Sequence, residues 1–220
     1  MIKESDLTPK DLGDIVFGNE QSKPKLEHLV TGSIPFPAVG KCGILLYGVW
    51  GTGKTTLAKM IPDLMEIARV NNTANWQFNQ CMAGINGPNM INVIDQRTQF
   101  MSYNASNLHY EVLDEVDNLT LAAQLHLKAV MNRRDVVYIL TTNHLTKVDS
   151  GVQNRCHLIE MNAARPSDWL QVCNRVIAAC GADLVPESVL LPMIQSCNGS
   201  AREIVTRAMH IGIERAKHAA

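Results

Sequence analysis

The sequence lacks the marks of an exported, membrane-embedded or zinc-built protein. Its six cysteines, Cys42, Cys81, Cys156, Cys173, Cys180 and Cys197, include no C-x-x-C pair, and its seven histidines fall at no ligand spacing. The simplest reading is a reduced cytoplasmic protein with buried thiols and no zinc. No run of roughly eighteen apolar residues occurs, so no membrane-spanning helix is expected. The opening stretch from Met1 to Leu12 is polar and mixed in charge, without the apolar centre of a signal peptide. The formal net charge is −1; no net positive field recruits nucleic acid, and any such contact needs a local basic patch. Internal repeats and low-complexity tracts are also absent.

What remains is ordinary globular material: 220 residues, 46% hydrophobic and 19% charged, enough for one domain or a domain with a small annex. Short apolar runs at Gly43–Gly48, Trp76–Asn79, Tyr110–Leu113, Val136–Thr142 and His157–Met161 read as strands buried on both faces. Helical patterns lie between them at Lys54–Val70, Asn89–Met101 and Thr120–Asn132. Strands alternating with helices predict an α/β fold, an αβα sandwich around a mainly parallel five-stranded sheet. After Met161 the texture becomes helical. Pro166 can open a helix that Gly181 closes, a second helix follows Pro186, and a third starts at Ser200. Pro192 should kink or delay the second, and Ser200 with Glu203 forms an S-x-x-E capping box for the third. The expected organisation is an α/β domain over 1–161 and a helical lid over 162–220.

The chemistry is concentrated at two places. Gly48-Val-Trp-Gly-Thr-Gly-Lys-Thr55 matches G-x-x-x-x-G-K-[ST] at each fixed position, between an apolar strand and a helical pattern. Such a loop curls backbone N–H groups around phosphates, and the helix N-terminus adds its positive end. The expected ligand is ATP, held by Gly48, Gly51, Thr52, Gly53, Lys54, Thr55 and Thr56. Lys54 supplies a full charge to the terminal phosphates, and the Thr55 hydroxyl is an expected Mg²⁺ ligand. The loop's Trp50 suits either a partner contact or packing on the nearby surface. The second place is Val112-Leu-Asp-Glu-Val-Asp117, ending another apolar run. Asp114 is expected in the Mg²⁺ shell and Glu115 as the group that polarises attacking water. Within the same strand Glu111 needs either a partner, which the sequence does not name, or a place near the sheet edge.

The run from Ile139 through Asn143 to Asn154-Arg155-Cys156 resembles the AAA+ ATPases of the clamp-loader clade, whose best-known members are replication factor C small subunits and the bacterial DNA polymerase III gamma subunit. Asn143 matches the sensor-1 position, and Asn154-Arg155-Cys156 resembles the clade's Ser-Arg-Cys motif. Asp14-Ile-Val-Phe-Gly-Asn-Glu20 resembles the segment near the adenine, which implies nucleotide contacts from Val16 and Gly18. Asn79 sits like the polar residue that can restrain the catalytic glutamate. Gly199-Ser-Ala-Arg202 resembles sensor 2. The resemblance implies that Lys54, Asp114, Glu115, Asn143 and Arg202 serve hydrolysis in one subunit, while Arg155 is an arginine finger acting in trans on a neighbour's ATP. It therefore implies a homo- or hetero-oligomer.

The expected function is a clamp-loader-like ATPase that couples turnover to assembly or remodelling of a DNA replication complex, with DNA and a sliding clamp or a helicase as partners. Two alternatives stand beside it: a helicase loader or other remodeller of protein complexes, and an ATP-dependent structural switch with little turnover. No sequence corresponding to a clamp loader's collar domain can be fitted. The stretch Asn86 to Tyr103, which corresponds to a DNA-tracking helix, carries one cation, Arg97. Lys128, Arg133 and Arg134 form a second modest cluster.

Overall fold

A computed structural model of the chain describes residues 7–82 and 87–219, the last two by backbone only. Two compact units emerge: Glu20–Gly48 with Lys54–Glu160, and Met1–Asn19 with Val49–Gly53 and Met161–Ala220.

The first unit is built on a parallel sheet of five strands: β1 (Gly43–Tyr47), β2 (Trp76–Gln80), β3 (His109–Asp114), β4 (Val136–Thr142) and β5 (Cys156–Glu160), in the order β2-β3-β4-β1-β5. The apolar density of each strand follows its place. Central β4 is buried at every position, whereas edge strand β2 is largely exposed. Alternation then sorts the core. Leu45, Leu113, Tyr138 and Leu140 pack with Ile91 and Ile94 of α3 (Pro88–Thr98), with Ala123 and Leu127 of α4 (Leu121–Val130) and with Val152 of α5 (Ser150–Asn154). Ile44, Leu46, Val112, Val137 and Ile139 alternate with that set and are fully buried. They share their burial with Leu57, Ala58, Ile61 and Met65 of α2 (Lys54–Val70) and Leu26 and Leu29 of α1 (Ser22–Thr31). Arg69, on the last turn of α2, donates to the carbonyls of Leu29, Val30 and Phe36, so a cation closes the C-terminal end of α1. On edge strand β5, Lys25 caps the Leu158 carbonyl and Lys41 caps those of Asn154 and Cys156, which blunts that edge against further pairing.

The second unit is helical: α6 (Leu170–Ala179), preceded by a 3₁₀ turn at Pro166–Trp169, α7 (Glu187–Ser196) and α8 (Ala201–Ala219). Trp169, Val172, Cys173, Ile177, Leu190, Ile194, Ile204 and Ala208 form its core. Pro192 lies inside α7 and does not delay it, since the helix begins at Glu187 directly after Pro186. Leu190 and Ile194, one turn apart on the same face, are 0% and 2% exposed, and that burial outweighs one missing N–H. The expected capping box is half formed. Ser200 Oγ accepts from the Glu203 N–H, but the Glu203 carboxylate pairs with Arg207 instead of returning to the cap.

Candidate nucleotide site

In the sheet unit the acidic pair lies at the C-terminal end of β3, the edge at which open α/β sheets hold ligands. Asp114 is buried, and its Oδ1 accepts from the Thr55 hydroxyl at 2.8 Å and the Thr141 hydroxyl at 2.6 Å. Thr141 in turn accepts from the Glu115 N–H at 2.9 Å. Glu115 carries φ 59° and ψ 53°, a left-handed conformation that costs a non-glycine residue about 1 kcal/mol or more. It turns the chain off the strand and into the 3₁₀ turn Val116–Asn118. There the Asn118 amide donates to Glu115 Oε2 at 3.3 Å and to the Cys81 carbonyl at 3.0 Å.

Lys54 is buried, 6% exposed as a residue, and its ammonium reaches back to the Gly48 carbonyl at 2.9 Å. Burial pushes it down to about 8, against the pull of Asp114, Asp117 and Glu115. Helix α2 begins at Lys54, so its first-turn N–H groups, those of Lys54, Thr55 and Thr56, have no partner within the helix. Asn143 directly follows β4, and its carboxamide has no hydrogen-bond partner among the described residues.

In the helical unit Gly51 and Gly53 take φ of +77° and +92°, values that only glycine adopts without strain, and among the described residues no atom beyond the chain neighbours lies within 4 Å of where a Cβ of Gly53 would sit. Thr52 is buried and donates to the Val49 carbonyl. The Val49 N–H donates to Asn162, and the Ala201 N–H at the start of α8 donates to the Gly51 carbonyl at 2.8 Å. Arg202, next along, is exposed and has no ion pair among the described residues. Val16 packs on the helical core. Gly18 lies against the 162–163 backbone, where a Cβ would come within 2.5 Å of the Asn162 carbonyl oxygen. Trp50 is exposed.

Several residues stand elsewhere than the sequence suggested. The partner of Glu111 is Arg97 of α3, which holds both carboxylate oxygens in a bidentate pair. Asn79 joins it, donating to Glu111 at 3.1 Å and accepting from Arg97 at 3.0 Å, so its amide is committed to Glu111 and not to Glu115. Lys128 faces Asp149, and Arg133 pairs with Asp135. Most of the cations considered for DNA are thus neutralised within the chain, and Asn86 lies outside the described residues. Arg155 donates to Asn132 and to the Gly151 carbonyl. Sequence reasoning missed Thr141, Thr142 and Asp117: threonines in a strand read as β-formers, and nothing in the pattern marks their hydroxyls as partners of carboxylates.

The oxygen chemistry suits a small hard cation. A threonine hydroxyl and a carboxylate oxygen 2.8 Å apart are the sparse donor set Mg²⁺ takes when phosphates and water complete its shell. Among the described residues no group of three or more His, Cys, Asp or Glu side chains is placed to hold a metal alone.

The profile of the ATPase family associated with various cellular activities (AAA) matches residues 44–162. The chain belongs to this family of P-loop ATPases. Among similar proteins, replication factor C small subunit 2 of Pyrobaculum islandicum is 27% identical over 160 residues, 70% of this chain and 46% of that protein. Replication factor C subunit 3 of Schizosaccharomyces pombe is 25% identical over 223 residues, 92% of this chain and 61% of that protein. The chain thus spans about half to three-fifths of these relatives. The RuvB Holliday junction branch migration motor of Thermotoga maritima shares the fold, with a TM-score of 0.72, 17% identity, and coverage of 92% of this chain and 64% of that one.

Proposed function

We propose that the chain binds ATP with Mg²⁺ at the Gly48–Thr55 loop and hydrolyses it, using the turnover to drive a clamp-loader-like assembly or remodelling step in DNA replication. The observation that carries this reading is the hydrogen-bonded set Thr55, Asp114 and Thr141, with Lys54 preceding Thr55 at the start of α2 and Glu115 following Asp114 in a left-handed turn. Bound Mg²⁺ would supply charge neutralisation on the phosphates, with Thr55 and Asp114 as its protein ligands. Lys54 binds the terminal phosphates, Glu115 takes a proton from water, and the Asn143 carboxamide, without a partner among the described residues, orients that water or the γ-phosphate. Arg202 keeps its sensor-2 assignment on the strength of the Gly199-x-x-Arg202 pattern and its exposed guanidinium. Residues 162–220 are assigned as the lid domain.

Arg155 is assigned to a neighbouring subunit's nucleotide, which makes the working form an oligomer. Six free cysteines and the absence of any helix long and apolar enough to cross a membrane, among the described residues, support a cytoplasmic setting. A second reading, in which the load is a helicase or another protein complex, is favoured by one observation. Arg97, Lys128 and Arg133 are paired internally, while Phe100, Met101 and Tyr103 beyond α3 are 76%, 85% and 94% exposed, a surface suited to protein more than to phosphodiester.

The test is equilibrium binding of a fluorescent ATP analogue together with light scattering of the wild-type and Lys54→Ala chains. The expected outcome is Mg²⁺-dependent binding and ATP-dependent association in the wild type, both lost in the variant. Equal binding by the two chains would overturn the assignment.

A further inference from the structure

We infer that Asp117 is a positioning residue for Asn143, acting through the Thr142 hydroxyl; the inference rests on the ATPase reading and deepens it. Thr142 is the last residue of β4 and is fully buried. Its hydroxyl donates to Asp117 Oδ1 at 2.8 Å and accepts from the His144 N–H at 3.0 Å. These two bonds anchor the chain on either side of Asn143, whose own carboxamide has no partner among the described residues. A polar side chain left without local bonds points reproducibly only if its backbone is held. Here the anchor is a carboxylate from the same turn that carries Glu115.

The neighbouring threonine makes the matching connection. Thr141 donates to Asp114 Oδ1 and accepts from the Glu115 N–H. Two successive hydroxyls of β4 thus tie both ends of the Asp114–Asp117 turn to the strand that Asn143 directly follows. The water-activating group and the phosphate-sensing group are therefore held as one body, and a shift of the turn carries Asn143 with it. Asp117 does not touch the reacting atoms in this account; it fixes the position of a residue that does.

The test compares Asp117→Ala, Thr142→Val and Thr142→Ser. Loss of the anchor misplaces Asn143 by a fraction of an ångström to an ångström, enough to lower kcat by up to about 10²-fold while KM stays within about threefold. Thr142→Ser restores the hydroxyl and should recover most of the turnover. With Asn143→Ala as background, adding Asp117→Ala should cost less than about twofold, since the two residues act as one unit. A loss of the same size in both backgrounds, or an effect confined to KM, would overturn the proposal.

A second measurement is independent of turnover. The side-chain amide resonance of Asn143, assigned by its loss in Asn143→Ala, should shift and broaden in Asp117→Ala and Thr142→Val and return in Thr142→Ser. An unchanged resonance in the first two sinks the inference even if the chain hydrolyses ATP. If Lys54→Ala leaves turnover intact, the ATPase reading fails instead, and the resonance still decides the Asp117 connection.

Discussion

Replacing Arg97 with methionine isolates the role of the ion pair it makes with Glu111 of the sheet. Glu111 is 2% exposed and Arg97 32% exposed, so the substitution strands a buried carboxylate with only the Asn79 amide, 3.1 Å away. Removing one partner of a fully buried pair costs about 3–5 kcal/mol. The partial exposure of Arg97 and the surviving amide bond reduce this to about 2–3 kcal/mol. In urea that is a fall in midpoint of about 1 M.

The loss should depend on pH with a definite sign. Burial already pushes Glu111 above the ordinary carboxylate value, and Arg97 and Asn79 hold it down. Without Arg97 it rises further, so the native state binds more protons than the unfolded state, and stability falls as pH rises through the folded-state value. The penalty should therefore be greatest near pH 8 and shrink toward pH 5. Adding Glu111→Gln should remove both the pH dependence and most of the penalty. A loss below about 0.5 kcal/mol, or one equal at both pH values, would refute the reasoning that Arg97 neutralises Glu111.

Three further outcomes are expected. ATP affinity should weaken as pH rises above 8, by about tenfold per unit, because Lys54 loses its proton near pH 8 in the free protein and only the ammonium binds phosphate strongly; titration of a fluorescent analogue between pH 7 and 9 checks this, and a flat profile counts against it. Gly43→Ala should lower stability by about 1–3 kcal/mol, since a Cβ there would lie 2.4 Å from Cys156 Sγ and 2.7 Å from Met131 Cε; chemical denaturation measures it. A thiol reagent near neutral pH should label Cys180 first, because Cys42 and Cys81 are buried and pushed up to about 12 by that burial; rapid labelling of Cys42 would contradict the packing.

Much of this architecture was legible because the signals are local. The strands of a parallel sheet buried on both faces appear as apolar runs, and β4 at Val136–Thr142 matches its run end to end. The phosphate loop is legible because glycines at fixed spacing, followed by Lys54 at the first position of α2, are required together. The illegible parts depend on what the fold brings together. Arg97 meets Glu111 because α3 packs over β3, which no spacing encodes. Thr141 and Thr142 look like ordinary strand residues until Asp114 and Asp117 are placed opposite them. Pro192 shows the same divide: its local cost is visible in the sequence, but the burial of Leu190 and Ile194 within the same helix is tertiary.

The most direct measurement is a single-turnover assay of phosphate release with Mg²⁺, comparing wild type with Glu115→Gln, alongside ATP binding by both. The account predicts binding by each chain and release by the wild type alone, restored to no other residue when Glu115 is neutral. Release by Glu115→Gln at the wild-type rate, or failure of the wild type to bind ATP at all, would contradict it.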